Sequence, residues 1–203
     1  MSTEILIYGP IGQATTALDV VRQFQEARGE DVLLRIHSEG GSVLEGEAIL
    51  NAIRQHDREV RAQIDGMAFS MAAVIALEIG PENLTMPEDG WIMFHEVRNY
   101  SGGSQEDLER QLDQMRAMNA SITSKLSAAL NISEEEAAQR LKEEIWMNGQ
   151  QALEAGLVQS VTPAEALAAH VEAGQWQNVP QEFFAPSRKS QTKTDMKLFK
   201  LFK

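Results

Sequence analysis

Apolar residues recur along the chain with two periods, and the order of those periods predicts its elements. "EILIYG" (4–9) is a compact apolar run closed by Gly9, Pro10 and Gly12, which predicts a first strand. "TALDVVRQFQEA" (16–27) spaces Leu18, Val21 and Phe24 one helical turn apart, and Gly29 follows its end. "DVLLRIHS" (31–38) predicts a buried strand. "EGG" then turns the chain into "SVLEGEAILNAIRQH" (42–56), helical through Leu44, Ala48, Ile49, Ala52 and Ile53. "EVRAQID" (59–65) alternates Val60, Ala62 and Ile64 and predicts a third strand. The run "GMAFSMAAVIALEIG" (66–80) predicts a short buried helix, and "WIMFHEV" (91–97) another strand after the turn residues Pro87, Glu88, Asp89 and Gly90. Strands alternating with helices in this way predict an α/β architecture with crossover connections.

A long helix is predicted over 105–130, with Leu108, Leu112, Met115, Ile122, Leu126 and Leu130 as its stripe. At 1.5 Å per residue it spans about 39 Å, enough either to pack along its own core or to reach a second subunit. "SEEEAAQRLKEE" (133–144) predicts a further helix, with Ser133 and Glu136 in a capping-box pattern. "NGQQALEAGLV" (148–158) adds a short one. "PAEALAAHVEAGQW" (163–176) allows a last helix. The pattern divides the chain into a domain over 1–180 and a basic, flexible tail over 181–203.

Composition narrows the function. The 203 residues are 43% hydrophobic and 24% charged, ordinary for a globular domain. The net charge of −12 argues against a nucleic-acid binder, and no apolar run reaches the roughly 18 residues that would cross a membrane. The absence of cysteine excludes disulfides, thiolate nucleophiles and zinc-thiolate sites. The start of the chain has no secretory signal pattern, which fits a cytoplasmic protein.

Two residues stand out as chemistry. Ser70 interrupts an apolar run. Its hydroxyl either bonds the carbonyl one turn back or lies at a helix start, where free N–H groups and the helix dipole favour negative charge. His95 closes an apolar strand 25 residues later, as a structural imidazole or as a base. The glycine turn at Gly40 and Gly41 lets backbone N–H groups point at an anion and lets a substrate approach.

Four segments, in order and at matching spacing over about residues 5–160, resemble the ClpP-type serine peptidases. "LLRIHSEGGSVLEGEAI" is similar to the family's strand and S-P-G-G turn. "IDGMAFSMAAV" resembles its G-x-A-A-S-M nucleophile segment, "NLTMPEDGWIMFHEV" its histidine segment, and "EEIWMNGQQALEAGLV" its acidic segment. The resemblance implies a spiral of strand–strand–helix units, the ClpP/crotonase-type fold, with the 105–130 helix as a protruding handle. It implies Ser70 as nucleophile, His95 as general base and Glu144 as triad acid, with the backbone N–H groups of Gly41 and Met71 as oxyanion hole. Gly40, Ser42 and Val43 beside the turn, and Val97, Arg98 and Asn99 after His95, are implied as substrate-binding positions, the latter accepting a peptide as an added strand. It implies a homo-oligomer, a ring and possibly stacked rings, a protein or peptide substrate, and no cofactor or metal.

The sequence departs from the family at several points. Glu144 stands where aspartate is usual, and Glu143 and Asn148 are its rivals. Glu39 replaces the turn's proline, which loosens it. His37 stands where asparagine is usual and reads as structural, with a minor claim on the site. The family's ATP-dependent members carry a segment ahead of the first strand that meets an unfoldase; here the first strand begins almost at Met1. This leads to the expectation of a phage or prophage head-maturation protease, acting on capsid and scaffold proteins in the host cytoplasm or the assembling virion without an unfoldase. The alternatives are an ATP-dependent Clp proteolytic subunit, a crotonase-type acyl-CoA enzyme and a non-catalytic structural subunit.

Overall fold

The computed structural model describes residues 2–99, 102–163 and 178–184. Strand β1 (Ser2–Tyr8) pairs in parallel with β2 (Asp31–Ser38), and β2 with β3 (Val60–Phe69). Parallel neighbours need crossovers, and α1 (Ala17–Glu26) and α2 (Val43–Gln55) supply them. Hydroxyls start both helices: Thr16 accepts from the Asp19 N–H and Ser42 from the Glu45 N–H. β3 continues through Ser70 into α3 (Met71–Ile79).

β3 is long enough to hold two further neighbours. Its first half pairs with β4 (Leu84–Pro87) and its last three residues with β5 (Trp91–Phe94), both in parallel. After α4 (Gln105–Leu130) and α5 (Glu134–Lys142), β6 (Ile145–Asn148) returns antiparallel to β5. A short α6 (Gly149–Glu154) leads to β7 (Ser160–Thr162), which pairs in parallel with β4. The result is a seven-stranded mixed sheet among the described residues, the α/β spiral anticipated above.

The core lies between the helices and one face of this sheet. Ile5, Ile7, Leu34, Ile36 and Ile64 are fully buried at alternate strand positions. α3 is apolar all round and buried along its length except at Glu78, as a central helix must be. Glu78 is satisfied from two sides: Arg54 of α2 donates to it at 2.7 Å, and Lys125 of α4 pairs with it. Burial pushes its carboxyl up, but the two cations pull it further down, so it stays ionised.

Several expectations change. The segment 66–69 belongs to β3, not to the apolar helix, so Ser70 sits at the junction of the two. β5 ends at Phe94 rather than residue 97. β4, β6 and β7 were not anticipated. Leu18 and Leu44, placed on the inner stripes of α1 and α2, are 67% and 77% exposed. The buried faces run instead through Ala17, Val20 and Phe24, and through Gly46, Ile49, Leu50 and Ile53. Ser133 caps α5 as expected, but the Glu136 carboxylate pairs with Arg140.

Gln181–Phe184 form a turn of 3-10 helix, and the Phe183 ring packs 5.5–6.0 Å from those of Trp91, Trp146 and Phe69. The packed chain therefore continues past residue 180, where the hydropathy pattern ended it. The helix expected within 163–176 lies outside the described residues from 164 onward, as does the tail from 185. No helix of the described residues is long and apolar enough to cross a membrane.

Candidate active site

Three strand registers bring the singled-out residues together. In the β2–β3 pair Ser38 lies opposite Ala68, after an irregularity that adds two residues to β3. The chain beyond β2 therefore arrives beside Ser70. In the β3–β5 pair Phe69 lies opposite Met93, and the Ser70 N–H donates to the Met93 carbonyl at 2.9 Å. In the β5–β6 pair Phe94 lies opposite Ile145, so the next residues out, His95 and Glu144, come to the same edge. Gly40, Ser70 and His95 thus sit just past the C-terminal ends of three parallel strands, where open α/β sheets place their sites.

Ser70 occupies a strained junction. Its φ of 54° and ψ of −122° are unusual for a residue with a side chain. The sharp strand-to-helix turn puts its hydroxyl outside the helix, where it makes no cap bond. The hydroxyl meets His95 instead: Oγ and Nε2 are 2.9 Å apart. This answers the question of why the apolar run holds a serine. The back-bonded alternative is not what the structure adopts.

The glycine turn closes over this junction. Gly40 has a φ of +89°, and a Cβ there would lie 2.5 Å from the Phe69 carbonyl oxygen and 2.9 Å from the Met71 nitrogen. Only glycine permits that approach. Met71 opens α3, so its N–H is one of the helix's free donors. Gly41 is exposed and pinned on both sides. The Ile11 N–H donates to the Gly40 carbonyl at 2.7 Å, and the Ser42 N–H to the Ile11 carbonyl at 2.9 Å. The loosening expected from Glu39 is offset by Ser38, whose buried hydroxyl accepts from the Gly40 N–H at 3.0 Å and donates to the Gly9 carbonyl at 2.7 Å. Ser42 is committed to capping α2, and Val43 packs on the main core.

On the acidic side the structure separates the rivals. Glu144 is buried, its side chain 2% exposed, at a φ of 59° between α5 and β6. Arg98 Nη2 pairs with its Oε1, and Trp146 Nε1 donates to its Oε2 at 3.3 Å. Glu143 caps α5, and its carboxylate accepts from exposed Gln139. Asn148 caps α6 at the far end of β6. The His37 ring lies tilted against that of Tyr8, with ring centroids 5.7 Å apart.

Burial, helped by the Arg98 charge, pushes the His95 imidazole down to about 4, against the Glu144 carboxylate and a backbone hydrogen bond at Glu96, which raise it. At neutral pH the ring is therefore uncharged, the form that accepts a proton.

The residues after His95 are held differently from the expectation. The segment 95–99 is not a strand. The Val97 N–H donates to Asn119 Oδ1 at 2.8 Å, and Asn99 Nδ2 to Gln111 Oε1 at 3.3 Å, both partners on α4. Arg98 turns to Glu144. A peptide adding along this segment meets a Val97 N–H that is already used. Asn119, Trp146 and Ser38 were not singled out in the sequence. The four-residue run "IWMN", a counterpart of "WIMF", was the available signal for β6 and hence for Trp146. Two hollows of about 310 and 410 Å³, lined by residues such as Leu33 and Thr85 or Leu77 and Lys125, lie away from Ser70. No cluster of three or more His, Asp or Glu among the described residues is placed to hold a metal.

Ser70 on a strained strand–helix turn thus meets a neutral imidazole on which a buried carboxylate acts, the residue types from which serine hydrolases are built. The Clp protease family model matches residues 1–165, and the chain belongs to that family of serine peptidases. It is 31% identical over 137 residues to the ATP-dependent Clp protease proteolytic subunit 1 of Protochlamydia amoebophila, covering 66% of each chain. It is 26% identical over 135 residues to the subunit of the same name from Chlamydia muridarum, covering 66% of this chain and 70% of that one. To the ATP-dependent Clp protease proteolytic subunit of Streptococcus pneumoniae it is 25% identical over 169 residues, 80% and 86% of the two chains.

Proposed function

We propose that this chain is a serine endopeptidase using Ser70, His95 and Glu144. The observation that carries the reading is the 2.9 Å approach of Ser70 Oγ to His95 Nε2 at the strained β3–α3 junction. Ser70 Oγ attacks the peptide carbonyl carbon as its proton passes to His95 Nε2. The carbonyl electron pair moves onto oxygen, which the Gly41 and Met71 N–H groups receive. The oxyanion collapses, the C–N bond breaks, and His95 returns its proton to the leaving amine. Water, deprotonated by His95, then cleaves the acyl ester and regenerates Ser70. Glu144 stabilises the imidazolium that forms at each stage. Gly40 and the neighbouring Ser42 and Val43 form one wall for the substrate, and Val97, Arg98 and Asn99 the other.

Family membership supports a homo-oligomer, with α4 as the arm between subunits. For the substrate, we place capsid and scaffold proteins of a phage or prophage first. The support is the basic stretch 187–203, six Lys or Arg against one Asp in a chain of net charge −12. The place of action on this reading is the host cytoplasm or the assembling virion. The names of the relatives favour a second reading, a proteolytic subunit fed by an ATPase. The test is to offer the assembled protein capsid and scaffold proteins with no ATPase present, and an unfolded substrate with an ATPase partner. Site-specific cuts in the first case, absent from Ser70→Ala, support maturation. Cleavage only with the ATPase supports the second reading.

A further inference from the structure

Arg98 follows His95 by three residues, and its guanidinium reaches across to Glu144. The contact is long-range in sequence and asymmetric in burial: the carboxylate side chain is 2% exposed and the arginine 35%. With Trp146 Nε1 on the other oxygen, Glu144 is oriented from two directions. An acid that orients a histidine normally lends its full charge to the imidazolium formed in the transition state. Here a cation lies against that acid.

We propose that Arg98 is a positioning residue for the Ser70–His95 pair, holding the Glu144 carboxylate in an ion pair and withholding part of its charge from the imidazole. The inference rests on the serine-peptidase reading. The charged groups acting on His95 are Arg98 from its own segment and Glu144 from the α5–β6 junction. Glu96 contributes a backbone hydrogen bond, and Ser70 Oγ faces Nε2 from the β3–α3 junction. Arg98 opposes Glu144 twice, once by pairing with it and once by its own charge on the ring. A general base works best when its ionisation lies near the working pH, so this arrangement gives a base that stays deprotonated in acid but pulls weakly. Removing the guanidinium returns the carboxylate's charge to His95. The ring becomes a stronger base, and it protonates at higher pH.

The test follows the His95 ring by NMR between pH 3.5 and 9 in the full chain. It also measures, over the same range, the rate at which a fluorophosphonate labels Ser70 by intact mass. Wild type is compared with Arg98→Gln, Arg98→Lys and the charge-balanced double variant Arg98→Gln/Glu144→Gln. Arg98→Gln is expected to raise the His95 midpoint by about one pH unit and to raise the alkaline labelling rate about three- to tenfold. Arg98→Lys keeps the wild-type midpoint, and the double variant returns to it. An Arg98→Gln midpoint that is unmoved or lower overturns the proposal. So does a labelling rate that falls equally at every pH, because a purely structural role gives that result. The ring titration reads Arg98 whether or not Ser70 reacts. Absence of any adduct on wild type counts against the peptidase reading alone.

Discussion

Ser70 and Glu144 both sit at positive φ where a strand meets a helix, yet they are held by different kinds of surroundings. The chain on either side of Ser70 is core: Phe69 is fully buried, Met71 4% exposed, and Gly40 lies on the junction with no room for a side chain. Around Glu144 the holders come from near the surface. Arg98 is a third exposed, and the segment that carries it is tied to α4 by Asn119 and Gln111. α4 itself buries only Leu126, and its Leu108 and Leu112 are 45% and 46% exposed. Ser70 is thus fixed by the same packing that makes the fold, whereas Glu144 is set by contacts nearer the surface.

The largest expected effect comes from breaking the rigid side. Gly40→Ala places a Cβ 2.5 Å from the Phe69 carbonyl at a φ of +89°. It should cost about 3 kcal/mol and abolish labelling of Ser70. At about 2–4 °C per kcal/mol for a domain of this size, calorimetry should show a melting point lower by roughly 6–12 °C. Gly156→Ala is the control. Its φ of +74° is strained too, but nothing lies within 4 Å, so its cost should be about 1 kcal/mol.

Acid probes the His95 imidazole between the two sides. His95 is held near 4 in the folded chain against 6.5 when free, so the unfolded state takes up the proton first. Its contribution is fully present above pH 6.5 and is lost as pH falls toward 4, by up to about 3 kcal/mol. Urea unfolding at pH 7.5 and 4.5 should show this loss in wild type and a smaller one in His95→Gln.

Smaller effects belong to the adjustable side. Asn119→Ala removes the partner of the Val97 N–H, with an expected cost of about 1 kcal/mol and a change in KM larger than in kcat. Leu108→Ser with Leu112→Ser should change subunit stability by less than about 0.5 kcal/mol, since both side chains are half exposed. If α4 is the arm between subunits proposed above, the same pair should lower the assembled mass seen by light scattering.

The contrast also explains what could be read from the sequence. α4 is legible at 105–130 because its apolar period is local. β2 came out at 31–38 because a buried parallel strand is a dense apolar run bounded by turn residues. Ser70 was legible as an interruption of the apolar pattern. Its place at the end of β3 was not, because a continuous apolar run looks the same as strand or helix. β4, β6 and β7 have only three or four residues each, too few to show a period. Glu144 is marked by the family resemblance and by no local pattern. Its contact with Arg98 spans 46 residues and exists only because β6 folds back on β5. Nothing near Arg98 in the sequence announces it.

The most direct test of the account is the intact mass of the full chain after fluorophosphonate treatment, beside Ser70→Ala and His95→Ala, with light scattering on the same samples. A single adduct on wild type, mapped to Ser70 and absent from both variants, is expected. A fully assembled, folded wild type that takes no adduct, or takes it equally in Ser70→Ala, would contradict it.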